Sequence, residues 1–221
     1  SLVDRFRMAL PERHRPSKRY EIAFPSSHQE KQLISRFTNS FDNVQVGIYN
    51  FTQRLRNMNQ FIGSVRIGDP NLSWLEEKFL AFWLSQQINY ADGISRVSFP
   101  GLNRLAEYIV RTNDHVLRSI RASYPIVFVD EFQDTTFAQY DFLSSVFKSS
   151  EAKVTAVGDY KQRIMGWAGS KGDVFHQFEA DFSAHRHSLL LNHRSSPELV
   201  RIQHVIAQAI DHEVRVVQTS N

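Results

Sequence analysis

The sequence of 221 residues contains no cysteine, which excludes disulfide bonds and thiolate metal sites within it. It also contains no apolar run of about 20 residues, the length that a transmembrane helix needs. Its opening stretch, SLVDRFRMALPERHR, lacks the apolar centre of a signal peptide. These absences fit a reducing, cytoplasmic setting and predict no membrane partner.

The residues that are present have an ordinary globular composition, 42% hydrophobic and 22% charged, but the charge is unevenly placed. Residues 1–123 hold 17 Lys and Arg against 11 Asp and Glu, a net charge of +6. Residues 124–221 hold 9 against 12, a net charge of −3. The basic first part permits contact with nucleic acid, although a solvated basic surface explains the same numbers.

The hydrophobic pattern changes at Pro125, and it predicts two regions of different structure. Residues 1–122 are predicted to form a mainly helical subdomain, with Ser27 and Ser73 as helix N-caps because each is followed three residues later by Glu. In residues 123–221, short β-branched runs alternate with helical patterns. That alternation predicts an α/β domain in which crossover helices join parallel strands. The predicted strands are IVFV, KVTAV, SLLL and VRVV.

Polar clusters follow three of these predicted strands. They are Asp130–Glu131, Gly158–Asp159 and Asn192–His193–Arg194. Because ligands of open α/β sheets bind at the carboxyl ends of the strands, we expect the three clusters to converge on one site.

The first cluster, VDEFQD, has the side chains for metal-dependent phosphoryl transfer. Asp130 at the strand tip suits Mg²⁺, which takes one or two carboxylates together with waters and phosphate oxygens. Glu131 is placed to orient and deprotonate an attacking water. An exposed turn also explains an Asp-Glu pair, but the apolar strand before it and Gln133 and Asp134 after it favour a nucleotide site.

The other two clusters carry groups that can bind phosphates and bases. Gln162 can read a terminal phosphate, and Arg194 can bind a phosphate oxygen and offset charge in the transition state. His193 can stack on a nucleotide base. Trp167, in a glycine-rich loop, is either a stacking platform for a nucleic-acid base or a core residue.

In their order, VDEFQDT, GDYKQRIMGWAGS and LNHRSSPELV resemble motifs II, III and IV of the UvrD/Rep-type superfamily 1 DNA helicases. The strong resemblance covers residues 99–207, while residues 1–98 match only by position. It implies a partial P-loop NTPase (RecA-like) sheet in residues 123–221, preceded by the family's helical insertion. It also implies ATP and Mg²⁺ as cofactors, and single-stranded DNA or a 3′-tailed DNA duplex as partner. The implied activity is 3′→5′ movement along DNA in DNA repair, at a cytoplasmic, nucleoid-associated location.

The resemblance assigns a role to each candidate residue. Asp130 matches the Mg²⁺ ligand, Glu131 the catalytic base, Gln162 the contact to the γ-phosphate and Arg194 a second contact to that phosphate. The cofactor-binding set is His193, Asp134 and Gln133, and the DNA-contacting set is Trp167 and Met165. Met165 and His193 both stand where the family usually has Tyr.

The sequence lacks a phosphate loop of the form G-x-x-x-x-G-K-[ST]. Gly63 and Gly68 have the right spacing, but Asp69 occupies the position of the lysine. In the resembling family this loop lies upstream and a second RecA-like domain lies downstream. We therefore expect an internal piece of a longer helicase that is inactive alone.

Two other hypotheses remain open. The first is a relative of these motors that has lost catalysis and serves as a nucleic-acid or protein-binding module, as the basic first part suggests. The second is a Mg²⁺-dependent nuclease that uses Asp130, Glu131 and Asp159. The nuclease hypothesis does not explain why Gln162 and Arg194 occur in the other two clusters.

Overall fold

The computed structural model of the protein describes residues 1–41, 46–55, 58–164, 171–189, 191–210 and 218–219. The helices in this part of the chain are α1 Leu2–Phe6, α2 Ser27–Thr38, α3 Val46–Arg54, α4 Met58–Ser64, α5 Trp74–Ile88, α6 Phe99–Thr112, α7 Asp114–Ser123, α8 Phe137–Phe147, α9 Val174–Phe182 and α10 Pro197–Ile210. The strands are β1 Glu21–Ala23, β2 Arg96–Ser98, β3 Ile126–Val129, β4 Lys153–Ala156, β5 Leu191–Asn192 and β6 Gln218–Thr219. Among these residues, no helix is both long enough and apolar enough to cross a membrane.

The strands form parallel pairs, as the α/β prediction requires. β3 pairs with β4, and helix α8 is the crossover between them. β1 pairs with β2 and β5 with β6, also in parallel. The β1–β2 pair was not predicted, because each strand has only three residues and carries no recognisable alternation. In the predicted strand SLLL, Ser188 and Leu189 are not in a strand, and Leu191 is the first residue of β5. Leu190 and the predicted strand VRVV lie outside the described residues.

One predicted helix start is wrong by a residue. Helix α2 is capped by Ser26, whose hydroxyl accepts a hydrogen bond from Gln29 N while the Gln29 side chain accepts one from Ser26 N. The adjacent serines and the adjacent Gln and Glu give the same capping pattern in two registers, and Ser26 has the extended backbone that an N-cap needs. The predicted cap at Ser73 is confirmed.

Aromatic side chains form the centre of the helical region. Phe79, on α5, is fully buried and has edge-to-face contacts with three other rings at centroid distances of 5.0–5.8 Å. Those rings belong to Phe37, Phe51 and Phe61, which lie on α2, α3 and α4. Such pairs contribute about 0.5–1.5 kcal/mol each beyond the area they bury. They hold four helices around one ring.

A buried ion pair joins the helical region to helix α8. Arg104 on α6 is fully buried and donates to Oδ2 of Asp141 on α8 at 2.7 Å. Its guanidinium also donates to the carbonyls of Ile62 and Gly63 near the end of α4. Arg66 donates to the other oxygen of Asp141. Buried apolar residues on both sides of residue 122 belong to one cluster, and the division into 1–122 and 123–221 stays a prediction.

Replacing Asp141 with Ala should destabilise the chain strongly. The substitution leaves the buried guanidinium of Arg104 without its counter-charge, which costs about 3–5 kcal/mol of unfolding free energy. Replacing Asp92, which pairs with Arg96 at the surface, should cost much less, because solvent screens that pair. Urea unfolding of both variants measures the difference, and equal losses would contradict the role given to Arg104.

The stability of the chain should also fall in mild acid because of His14. Its side chain is buried against the ring of Tyr108, and burial holds its pKa below the usual 6.5, with Arg13 lowering the pKa further. A histidine whose pKa is lower in the folded protein than in the unfolded chain contributes its full stability at pH values above the unfolded-state pKa. That stability is lost as the pH falls through the folded-state pKa. We expect urea midpoints to drop between pH 7.5 and 5.5 less in His14→Phe than in the wild type. A pH dependence in His14→Phe equal to that of the wild type would contradict this role of His14.

Candidate active site

The first two polar clusters lie at neighbouring strand ends. In the parallel pair of β3 and β4, Val129 is opposite Ala156. Two backbone hydrogen bonds extend the pairing past the strands, from Val157 N to Val129 O at 2.8 Å and from Phe132 N to Val157 O at 2.9 Å. The loop that follows β3 is therefore fixed against the loop that follows β4.

A buried aromatic ring holds the first loop in place. Phe132 is fully buried and contacts the rings of Phe175 and Phe178 on α9 at centroid distances of 5.4 and 5.2 Å. Glu131, just before it, has a left-handed backbone with φ of 50°, which a residue with a Cβ adopts only at a cost. This conformation is fixed by the packing of Phe132 on one side and by the strand on the other. In this conformation the Asp130 and Glu131 side chains are exposed.

The exposed carboxylates differ in their contacts. Oδ1 of Asp130 accepts a hydrogen bond from Glu131 N at 2.9 Å, and Oδ2 accepts none from the described part of the chain. Oε2 of Glu131 accepts one from Nε2 of Gln133 at 2.7 Å. Asp130 is thus free to bind a cation through one oxygen, while the Glu131 carboxylate is held by a neutral donor.

The donor set of the site suits a cation that brings its own ligands. In the residues that the structure describes, no three His, Asp or Glu side chains are grouped closely enough to hold a metal ion. Mg²⁺ is commonly held by one or two carboxylates, with phosphate oxygens and waters as its remaining ligands. The single free carboxylate oxygen of Asp130 fits Mg²⁺ that arrives with a nucleotide.

Gln133 joins the two loops. Its side chain is 1% exposed, and Oε1 accepts a hydrogen bond from Asp159 N at 3.0 Å while Nε2 binds Glu131. A Cβ atom at position 158 would lie 2.2 Å from that oxygen, so Gly158 is required by the close approach of Gln133. The sequence analysis placed Gly158 only in the second polar cluster, and it missed this bridge.

Gln162 and Asp134 belong to the same two loops. Nε2 of Gln162 donates to Oδ2 of Asp159 at 3.0 Å. Oδ1 of Asp134 accepts from Ile164 N at 3.2 Å, which is a second link between the loops. Predicted residues of clusters one and two are therefore brought together by hydrogen bonds, as expected from parallel strands.

The third cluster has its own local structure. Oδ1 of Asn192 accepts hydrogen bonds from the backbone N–H groups of Arg194 and Ser195 at 2.8 and 3.0 Å. His193 and Arg194 are exposed. Across the described residues, no hydrogen bond or ion pair connects them to the first two clusters, so their convergence stays a prediction. Met165 and Trp167 lie outside the described residues.

Comparison with known proteins identifies the family of the chain. Residues 9–183 match the family model described as the UvrD/REP helicase N-terminal domain. The chain belongs to the UvrD/REP helicase family. The match begins well before the motifs and includes most of residues 1–98, which the motif resemblance alone did not cover.

Individual relatives are similar over about half of the chain. The RecBCD enzyme subunit RecB of Haemophilus influenzae is 32% identical over 130 residues, 57% of this chain and 10% of that protein. DNA helicase II of Escherichia coli is 33% identical over 107 residues, 45% of this chain and 15% of that protein. A probable DNA helicase of Mycoplasma pneumoniae is 29% identical over 109 residues, 49% of this chain and 20% of that protein. The matched stretch thus spans a fifth or less of each of these relatives.

Replacing Gly158 with Ala should destabilise this UvrD/REP helicase chain. The added methyl group would overlap the Gln133 amide and the backbone of Phe132, so the two loops would have to separate. Gly47, on α3, is the matched control, because a Cβ there meets nothing within 4 Å. Urea unfolding should show a loss for Gly158→Ala and no loss for Gly47→Ala. Equal stabilities would contradict the close packing around Gln133.

Proposed function

We propose that the chain is the part of an ATP-dependent DNA helicase that carries its Mg²⁺-binding and water-activating residues. The observation that carries this proposal is the hydrogen-bonded arrangement of Asp130, Glu131 and Gln162 at adjacent ends of parallel strands. The family and the names of the relatives, DNA helicase II and RecB among them, support DNA as the substrate. The helicase moves 3′→5′ along single-stranded DNA and unwinds 3′-tailed duplexes. It acts in DNA repair in the cytoplasm.

In this proposal the described residues have separate tasks. Asp130 would hold the Mg²⁺ that accompanies ATP, and that cation would offset the negative charge of the phosphates. Glu131 orients a water and accepts its proton, a role that usually contributes ~10²–10⁴-fold to the rate. Gln162 and Arg194 contact the terminal phosphate, His193 stacks on the base, and Trp167 and Met165 contact single-stranded DNA.

The uncovered face of strand β3 supports the proposal that the chain is part of a larger domain. Val127 and Val129 pack against the core, whereas Ile126 and Phe128 on the opposite face are 61% and 75% exposed. Parallel sheets are normally covered on both faces, because their crossover helices pack there. In our proposal, residues 123–221 are part of a RecA-like P-loop domain. A phosphate-loop segment outside these 221 residues completes it, and a second RecA-like domain packs beside it.

Replacing Glu131 with Gln should abolish DNA-stimulated ATP hydrolysis in the longer protein that the proposal requires. Gln keeps the size of the side chain but does not accept a proton from water, so kcat should fall by ~10²–10⁴-fold while nucleotide binding persists. Phosphate release and binding of a fluorescent nucleotide measure the two effects. The exposed Glu151, replaced with Gln, is the matched control.

The 221-residue chain alone should show no ATPase activity, since it contains no phosphate loop. Full activity of the longer Glu131→Gln protein would overturn the proposal. A wild-type longer protein that binds single-stranded DNA in a salt-sensitive manner but hydrolyses no ATP would instead favour a binding module.

A further inference from the structure

Gln133 is a buried amide at the centre of the candidate site, in the 3-10 turn Phe132–Asp134. Its side chain contacts both loops at once: Nε2 donates to Oε2 of Glu131 at 2.7 Å, and Oε1 accepts from Asp159 N at 3.0 Å. Only 1% of the residue is exposed. Water therefore has little access to replace either contact.

An amide is the side chain that this position requires. Its two ends have opposite hydrogen-bonding roles, so it can donate to a carboxylate and accept from an N–H group together. A carboxylate at position 133 would accept from Asp159 but would repel Glu131. An apolar side chain would leave the partly buried N–H of Asp159 without its acceptor. The absence of a Cβ at Gly158 leaves the space that the amide occupies.

The contacts continue from Gln133 to Gln162. Gln133 holds the backbone of Asp159, and Oδ2 of the same Asp159 accepts a hydrogen bond from Nε2 of Gln162. Oδ1 of Asp159 accepts from Lys161 N and shapes the turn that carries Gln162. A continuous series of contacts thus runs from the Glu131 carboxylate to the Gln162 amide.

We infer that Gln133 is a positioning residue that fixes the Glu131 carboxylate relative to the loop carrying Gln162. The inference rests on the proposed function, in which Glu131 activates water and Gln162 contacts the terminal phosphate. By holding both loops, Gln133 keeps the base aligned with the water that attacks the terminal phosphate.

A charge-swap cycle in the 221-residue chain tests the contact itself. Gln133→Glu should lower the urea midpoint, because it places two carboxylates in contact at a buried position. Adding Glu131→Gln to that variant should recover most of the loss, since the new amide at position 131 donates to the new carboxylate. Glu131→Gln alone should change the midpoint little. Absence of recovery in the double variant would overturn the inference.

If Gln133→Glu does not fold, nuclear magnetic resonance tests the contact between Gln133 and Glu131. In the ¹⁵N-labelled chain, the side-chain amide signals of Gln133 should shift in Glu131→Gln and stay in place in the control Glu151→Gln. Its amide protons should also exchange with water more slowly than those of Gln203, which is exposed on α10. Unshifted signals together with fast exchange would overturn the inference.

Kinetics of the longer protein separate this inference from the proposed function. Gln133→Met should lower kcat for ATP by ~10–100-fold, because the base loses its alignment, and should leave KM within about twofold. A kcat equal to the wild type, in a protein that Glu131→Gln inactivates, would overturn the inference and leave the proposed function intact. Full activity of Glu131→Gln would overturn the proposed function while the spectroscopic contact remained.

Discussion

The parallel pairing of β3 with β4 is the constraint on which the candidate site depends. It places the carboxyl ends of both strands at one edge, and the backbone of Val157 closes the pairing by bonding to Val129 and Phe132. These bonds leave the two loops too close for any side chain at Gly158. The gap between them is filled by the Gln133 amide, so polar residues far apart in sequence share one network.

A second constraint holds that network against the helical region. Helix α8 begins directly after the first loop, and its Asp141 is bonded to Arg66 and the buried Arg104. An ion pair of this kind contributes little net stability compared with an apolar replacement, but breaking it costs much, so it fixes one arrangement of the helices. The carboxylate loop is thereby held at one end by the sheet and at the other by α8.

Much of this organisation could be predicted from residue patterns. The change from helical periodicity to short β-branched runs located the parallel pair, and the order of the polar clusters indicated the family. The β1–β2 pair was missed, and the cap of α2 was placed one residue late, because short strands and duplicated polar residues give no unique pattern. Gln133 was expected to bind nucleotide through the motif it belongs to, and nothing in the motif indicates that its amide is bonded to Asp159.

The sequence by itself determined the identity of the chemical groups, their order along the chain and the family to which they belong. Those properties depend on residue type and spacing, which the one-dimensional pattern contains. Only the tertiary structure decided which oxygen of Asp130 is free, that Glu131 has a left-handed backbone, and that Gly158 makes room for Gln133. These features arise where two loops approach each other across a strand pairing, and a distance between loops is set by packing rather than by local sequence.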